Sequence, residues 1–546
     1  MTNTDWATNV ALSSYTDDEF NLGICGSHDA SIAISKGNKI LEVVEIEKFT
    51  GEKHANLIFN TETQKDINSH IITEVLTYFR RKYQANTYNT VFWNLVCYHN
   101  QWLMDDLPTE IKNLFPSRNF KRFSHHLSHA SSAFYQSPYN RALIITFDGG
   151  SDDGLLNVYI GNGTDDLIHL YSNTRNYCVP YAVIGHFIYE IKNEPIYQMG
   201  QFTYPGKMMG LAGDGEVADD IEQNFTNYFE EVATANLQIP ELIDCFAKHM
   251  NISNSVQASK NTAKTFAATA QVVFEKLLHE EIGGFLKASH GLPIVLSGGG
   301  ALNIINNSRI AKSHKVFVPP NPNDSGIAIG LLCNGIRPKE KIDCAYLGPD
   351  ALDSSTLEDV VALRNGTTVD LNKLADNIIA GKIYGVVRGR SECGPRALGN
   401  RSLICSAIIP EMKDILNSKI KNRESFRPFA PVVRLEDVHK YFKSKDELRF
   451  MSFNVEIHKQ YESLLYAVSS SDNTARVQTI TREQNEFLYD LLTLLDKKVG
   501  HGILLNTSFN LDGKPILNKY ADALDVLDTK DIDGVIFENY LIEKSK

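Results

Sequence analysis

The chain has 546 residues, enough for roughly two to four domains, and its 43% hydrophobic and 22% charged content is that of a globular protein with a sizeable core. A formal net charge of −12 disfavours bulk binding to nucleic acid or to an anionic membrane surface and leaves room only for a local basic pocket. No apolar run approaches the roughly 20 residues of a membrane-spanning helix, and the start "MTNTDWATNVALSSYTDDEF" lacks the basic residues and apolar run of a signal peptide.

Residues 1–20 are expected to be disordered. From there to about residue 340 the pattern is that of an α/β unit. "NLGICGSHDASIAISKGNKILEVVEIE" (21–47) reads as three short strands joined by turns at "GSHDAS" and "KGNK". Residues 69–83 have helical spacing and 90–99 are strand-like. Ser124 is placed to cap a helix running through Tyr135, and "ALIITFD" is a buried strand ending at Asp148. "GKMMGLAGDGE" (206–216) reads as a glycine-rich loop in which Lys207 is a phosphate partner or plain surface. A long helix is expected over 257–288. "LPIVLSGGGALN" (292–303) then gives strand, glycine loop and helix start, and "KVFVPPNPNDSGIAIGLL" (315–332) repeats that order.

Residues 341–372 loosen into charges, a proline and few periodic apolar positions, and are expected to be a linker. A second α/β unit is expected over 373–546. The eight cysteines form no C-x-x-C pair, which points to reduced thiols in a cytoplasmic protein.

Three groups of residues carry chemistry. His125 and His129 are four apart, so a helix puts both rings on one face, where they can grip one metal ion. Asp148 and Asp324 each follow a strand, at the carboxyl edge where α/β sheets gather ligands. Two imidazoles and one or two carboxylates suit Fe²⁺ or another divalent first-row ion better than Ca²⁺. A histidine pair at this spacing also occurs as an ordinary surface or core pair, and His126 between them reads as structural. The backbone amides of Gly298, Gly299 and Gly300, followed by Asn303, can approach a nucleotide phosphate, although the loop is neither a Walker A nor a G-x-G-x-x-G motif.

Between Lys382 and Arg427 there are ten Lys or Arg against four Asp or Glu. Arg388, Arg390, Arg396 and Arg401, then Lys419, Lys421, Arg423 and Arg427, stand in loops beside Gly and Pro, as fixed forks for phosphate or carboxylate oxygens. "LLNTSFNLDGKP" adds the short polar groups Asn506, Ser508 and Asn510.

Nine stretches occur in order: "GSHDASIAI", "HHLSHASSAFYQSPY", "ITFDGGSDDG", "GKMMGLAG", "LSGGGALN", "PPNPNDSGIAIG", "GRSECGPRALGNRS", "KNRESFRPFAP" and "LLNTSFNLDGKPI". Together they resemble the motifs of the O-carbamoyltransferases of nodulation-factor and antibiotic biosynthesis, over nearly the whole chain after about residue 20. The resemblance implies an N-terminal domain with an actin/hexokinase-like ATPase fold, similar to the threonylcarbamoyl-transfer proteins of tRNA modification. It implies a C-terminal α/β domain similar to the threonylcarbamoyl-adenylate synthase. The implied reaction takes carbamoyl phosphate and ATP, with Mg²⁺, to carbamoyl-adenylate, and passes the carbamoyl group to a hydroxyl of a small natural product or sugar.

By the same resemblance His125, His129, Asp148 and Asp324 match the ligands of an iron(II) ion, and His28 matches the histidine that assists deprotonation of the acceptor. Lys207, Gly298, Gly299, Gly300 and Asn303 are expected at the nucleotide. Arg390, Arg396, Arg401, Lys421, Arg423, Arg427, Asn506, Ser508 and Asn510 are expected at carbamoyl phosphate or the adenylate. Three positions depart from the family pattern: Lys48, Asp214 and Arg388. The competing expectations are carbamoyl or threonylcarbamoyl transfer to tRNA adenosine, which the net charge disfavours, and a non-catalytic nucleotide-binding regulator. The acceptor is open, and so is the oligomeric state, a homodimer included.

Overall fold

The computed structural model of the chain describes residues 18–59, 66–95, 107, 109–163, 167–191, 201–235, 237–253, 260–511 and 513–545. The expected disorder before residue 18, the strand-like stretch past residue 95 and the first three residues of the long helix lie outside that set.

Strands of two to seven residues, most of them alternating or fully apolar runs, make two five-stranded sheets in the first unit. The first uses β1 (Phe20–Cys25), β2 (Ser31–Lys36), β3 (Lys39–Glu45), β4 (Tyr88–Asn94) and β5 (Ser117–Arg122), in the order β3-β2-β1-β4-β5. The second uses β6 (Arg141–Phe147), β7 (Leu156–Asn162), β8 (Ile168–Asn173), β9 (Ile294–Ser297) and β10 (Val316–Phe317), in the order β8-β7-β6-β9-β10. In each, the first three strands form an antiparallel meander and the last two run parallel to the first. This repeat of one sheet plan is the actin/hexokinase-like architecture expected for the first unit.

The helices of this unit include α1 (Ile46–Thr50), α2 (Ser69–Tyr83), α3 (His125–Gln136), α4 (Gln201–Ala212), α5 (Lys260–Ala288), α6 (Ile304–Ala311) and α7 (Ile327–Ile336). α7 packs between the two sheets and touches both halves through glycine. A Cβ on Gly330 would stand 1.8 Å from Ser128 O of α3, and a Cβ on Gly23 of β1 would stand 2.2 Å from Ala328 O.

Two local expectations are corrected. α3 starts where expected, but the Ser124 side chain makes no capping bond to it. The carboxylates of Asp152 and Asp153 accept from the N–H groups of His125 and His126 at 2.8 and 2.9 Å, because a negative group at a helix N-terminus is favoured by charge as well as by hydrogen bonding. The glycine-rich stretch from Gly206 to Ala212 is helix, not loop. Tyr204, Met208 and Leu211 recur at helical spacing and are fully or almost fully buried in the core, which outweighs the cost of the glycines.

The second unit is built on one eight-stranded mixed sheet. Its strands are β11 (Thr367–Thr368), β12 (Tyr384–Val387), β13 (Arg401–Ser406), β14 (Ala430–Arg434), β15 (Gln478–Ile480), β16 (Ile503–Ser508), β17 (Gly534–Phe537) and β18 (Tyr540–Glu543). Their order is β11-β18-β17-β12-β13-β16-β14-β15. Helices α8 (Leu371–Ile379) and α9 (Glu486–Val499) cover one face with Leu374, Ile378, Leu488 and Leu492.

The expected linker, 341–372, is folded rather than loose. It supplies the edge strand β11, Leu352 N–H donates to Asn518 O, and Lys341 Nζ donates to Phe134 O, so the segment is strapped to both units. Among the described residues the cysteines are free and no helix is long and apolar enough to cross a membrane.

Candidate functional site

The first-unit centre sits where α3 and α7 begin. Both rings of α3, His125 and His129, are buried and turn their Nε2 atoms to one point, 3.1 Å apart. Asp148 follows β6 directly and is held by the glycine turn: Gly149 N–H donates to Oδ1 at 2.6 Å and Gly299 N–H to Oδ2 at 2.5 Å. Asp324 opens the turn into α7, and Ser27 Oγ donates to its Oδ2 at 2.7 Å. Its Oδ1 stands 3.5 Å from His125 Nε2 and 3.4 Å from His129 Nε2, buried and without a hydrogen-bond partner. Asp148 Oδ2 is 3.5 Å from His129 Nε2. One ligand atom from each of the four residues lies within 4.8 Å of all the others.

That arrangement fits a divalent first-row ion. Two adjacent ligands at bonds of about 2.1 Å stand about 3.0 Å apart at a right angle and about 3.4 Å apart at the tetrahedral angle, close to the 3.1 Å between the imidazole nitrogens and the 3.4 Å from His129 to Asp324. An orphaned carboxylate oxygen aimed at them supplies the third donor. Burial opposes charge on His129, but the nearby carboxylates of Asp148 and Asp324 outweigh it and hold its pKa up at about 9. Burial raises and His129 more than offsets the pKa of Asp148, which ends well below the usual carboxylate range. His126 turns away to Thr146 Oγ1 at 2.7 Å and is structural, as expected.

His28 lies in the turn after β1. Its Nε2 is 3.5 Å from Asp324 Oδ2, and its Nδ1 is 3.2 Å from Asp29 Oδ2. Asp29 bridges to a second ring, with Oδ1 2.7 Å from His54 Nδ1, and accepts from Asn323 Nδ2 at 3.0 Å. Phe202 packs on both rings, with centroids 4.5 and 4.9 Å away. Asp29 and His54 both have left-handed backbone, φ 55° and 54°, a strained choice for these residues that their mutual contacts hold in place. Burial opposes charge on His28, but Asp324 and Asp29 outweigh it and lift its pKa to about 9.

A cavity of about 440 Å³ runs from this centre to the second unit. His28, Asp29, His54 and Asp148 line one end, and Arg396, Arg423, Arg427 and Arg476 line the other. Burial, then the neighbouring Arg427, push the pKa of Arg396 down to about 10. Burial and three guanidinium neighbours, Arg396, Arg423 and Arg427, push that of Arg476 well below its usual value, and its buried Nε has no hydrogen-bond partner. Arg423 lies over the Phe429 ring at 4.5 Å and donates to Asn417 Oδ1. Asn506, Ser508, Asn510 and Lys514 complete that end. Four guanidinium groups converge there, with the Glu424 carboxylate beside them at 3.7 Å from Arg427, and the surplus of positive charge suits a multiply charged anion.

The other expected residues divide. Gly299, Gly300, Asn303 and Lys207 line the cavity, and Gly298 does not. The Gly299 N–H is spent on Asp148, and the Asn303 side chain caps α6 through Asn306 N–H. Gly298 is required by the backbone, with φ 89° and Phe147 O 2.2 Å from an added Cβ. Lys207 reaches Glu424 of the second unit at 3.0 Å. Lys421 stands behind the wall and donates to the backbone oxygens of Ser508 and Asn510.

Arg390 and Arg401 are not brought to the cavity. Arg401 is fully buried and donates to Asn518 Oδ1 and to the carbonyls of Arg388, Gly389 and Asn400, so its fork holds a loop together. Arg390 donates to the carbonyls of Gly348, Leu41 and Leu347 at the seam between the units. Arg388 stacks on Phe487 at 4.3 Å, outside the cavity, and Asp214 pairs with Lys264 at 3.2 Å. Sequence reasoning missed Arg476, Lys514, Asp29 and His54. Asp29 and His54 carried no spacing signal, and Arg476 is a lone arginine ahead of a strand.

Comparison with known proteins bears on both units. Residues 21–333 match the family model described as Carbamoyltransferase N-terminus, and residues 375–544 match Carbamoyltransferase C-terminus. Nodulation protein NolNO of Sinorhizobium fredii is 30% identical over 98% of this chain and 81% of its own length. The 3'-hydroxymethylcephem-O-carbamoyltransferase of Streptomyces clavuligerus is 31% identical over 61% of this chain and 63% of its own. An uncharacterized protein of Methanocaldococcus jannaschii, MJ1051, is 28% identical over 96% of this chain and 100% of its own. With both family halves present in order around one cavity, the chain belongs to the carbamoyltransferase family and is a carbamoyltransferase enzyme.

Proposed function

We propose that the enzyme is an ATP-dependent O-carbamoyltransferase: carbamoyl phosphate and water give phosphate and carbamate, the carbamate oxygen bonds to the α-phosphorus of ATP as pyrophosphate leaves, and the resulting carbamoyl-adenylate passes its carbamoyl group to a hydroxyl of a small acceptor as AMP leaves. The observation that supports this reading best is the single cavity shared by the His28 and metal-ligand end and the four-arginine end. Its volume is in the range of small-molecule sites, which favours a sugar or natural-product hydroxyl over tRNA adenosine.

The chemistry needs both ends. A carbamoyl carbonyl is a poor electrophile because nitrogen and oxygen lone pairs feed into it, and AMP gives it a good leaving group. Arg396, Arg423, Arg427 and Arg476 hold the phosphate oxygens of carbamoyl phosphate and ATP, with Ser508 and Asn510 orienting the carbamoyl amide. His125, His129, Asp148 and Asp324 would hold a divalent first-row ion, iron(II) by the family resemblance. Such an ion supplies Lewis acidity to the carbonyl or the adenylate phosphate and neutralises the two carboxylates. His28 then takes the acceptor's hydroxyl proton on Nε2. The carboxylate that contributes most to holding His28 protonated, Asp324, is one of those the ion would neutralise. Asp29 fixes the ring from the Nδ1 side.

The test is a product assay with the full chain. Carbamoyl phosphate and Mg-ATP together should yield pyrophosphate, and either alone should not. Formation of ADP, or no nucleotide cleavage with or without hydroxylated acceptors, would overturn the adenylate route.

A further inference from the structure

One buried ion pair fastens the two units beside the cavity. Glu45 ends β3 and Lys48 lies one turn later in α1; both are buried, and the ammonium touches the carboxylate. Both groups also reach across to the second unit. Lys48 Nζ donates to Glu392 O at 2.7 Å and to Gly394 O at 3.0 Å, and Glu45 Oε1 accepts from Gly394 N–H at 2.5 Å. The same loop is pinned from its far side. Glu392 Oε1 accepts from the N–H groups of Leu398, Asn400 and Arg401 at 2.7, 2.8 and 3.1 Å.

Arg396 of the anion site lies two residues past Gly394. Gly394 has φ 107°, and an added Cβ would stand 2.1 Å from Pro320 O, in the loop that leads to Asp324. The loop bearing Arg396 and the loop bearing Asp324 thus meet backbone to backbone, and Glu45 with Lys48 locks them. Glu45, Gly394 and Pro395 are cavity wall, and Lys48 stands outside it. A buried ion pair seldom holds two surfaces better than apolar side chains of the same volume, because both charges lose their water. What the polar arrangement adds is a fixed position for the 392–396 backbone.

We infer that Glu45 and Lys48 are positioning residues that seal the cavity where the two units meet, keeping water from the carbamoyl-adenylate between its formation and its transfer. The inference rests on the proposed adenylate route. The loss it prevents is hydrolysis: a water oxygen bonds to the carbamoyl carbon, the bond from that carbon to the AMP oxygen breaks, and AMP leaves with carbamic acid, which decomposes to carbon dioxide and ammonia.

The test uses the metal-loaded full chain with carbamoyl phosphate and Mg-ATP and no acceptor. Wild type should release a pyrophosphate burst of about one per chain and then slow, as a retained intermediate requires. Lys48→Met should keep the burst and then release AMP and ammonia at about tenfold or more the wild-type rate, while Lys48→Arg should restore the wild-type trace. A Lys48→Met trace that slows as wild type does overturns the seal, as does a wild type that itself turns over steadily without acceptor. Where Lys48→Met fails to fold, Gly394→Ala wedges the same contact: sustained AMP release supports the seal and a wild-type-like trace overturns it. A wild type that never yields pyrophosphate removes the adenylate route, a result distinct from a tight Lys48→Met trace, which removes the seal alone.

Discussion

Arg476 shares one wall of the cavity with Arg396, Arg423 and Arg427, and burial with three like charges nearby makes its guanidinium costly to hold ionised. A phosphate oxygen relieves that cost. A hydrogen bond to a charged group is worth about 1.5–3 kcal/mol, so Arg476→Ala should raise the KM for carbamoyl phosphate about 10- to 100-fold. Elemental analysis of the same variant should show unchanged metal. His125→Ala should do the reverse, losing the metal and carbamoyl transfer while keeping pyrophosphate release; a variant that retains its metal would remove His125 from the ligand set. The four candidate ligands were legible in the sequence through a four-residue spacing, an acid ending a strand and an acid in the loop before a helix, with the family resemblance joining them into one set. The arginines were not equally legible. An arginine that opens a strand and spends its donors on carbonyls, like Arg401, reads the same in the sequence as one in a loop that lines a cavity, like Arg396.

Helices α3 and α7 set the distance between the histidines and Asp324, and they cross at Gly330, where any side chain would collide with Ser128 O. Gly330→Ala should therefore cost about 1–3 kcal/mol of stability, read from the denaturation midpoint, and should loosen the metal. Gly283→Ala, on α5 with open space around it, is the control and should stabilise by up to about 1 kcal/mol. Equal effects of the two substitutions would mean that the crossing does not set the centre. At this scale the strand–loop–helix order and the bounds of α2 followed from periodicity. The helix over Gln201–Ala212 did not, because its glycines mask a buried stripe that only the tertiary core makes decisive. The folded strap over 341–372 was hidden for a related reason: its backbone bonds go to distant partners such as Asn518.

The whole molecule brings a cluster of imidazoles and acids in one unit and a cluster of guanidinium groups in the other into one cavity, although hundreds of residues can separate them in the chain. Nothing local in the sequence encodes that meeting. It comes from the docking of two sheets' loops at a seam held by Gly394, Arg390, Glu45 and Lys48. The most direct test is a crystal of the metal-loaded chain grown with carbamoyl phosphate, measured at the metal's absorption edge. The account predicts an anomalous peak within bonding distance of His125 Nε2 and His129 Nε2, and the phosphate held by Arg396, Arg427 and Arg476 in the same cavity. A metal bound elsewhere, or a phosphate seated on another surface of the protein, would contradict it.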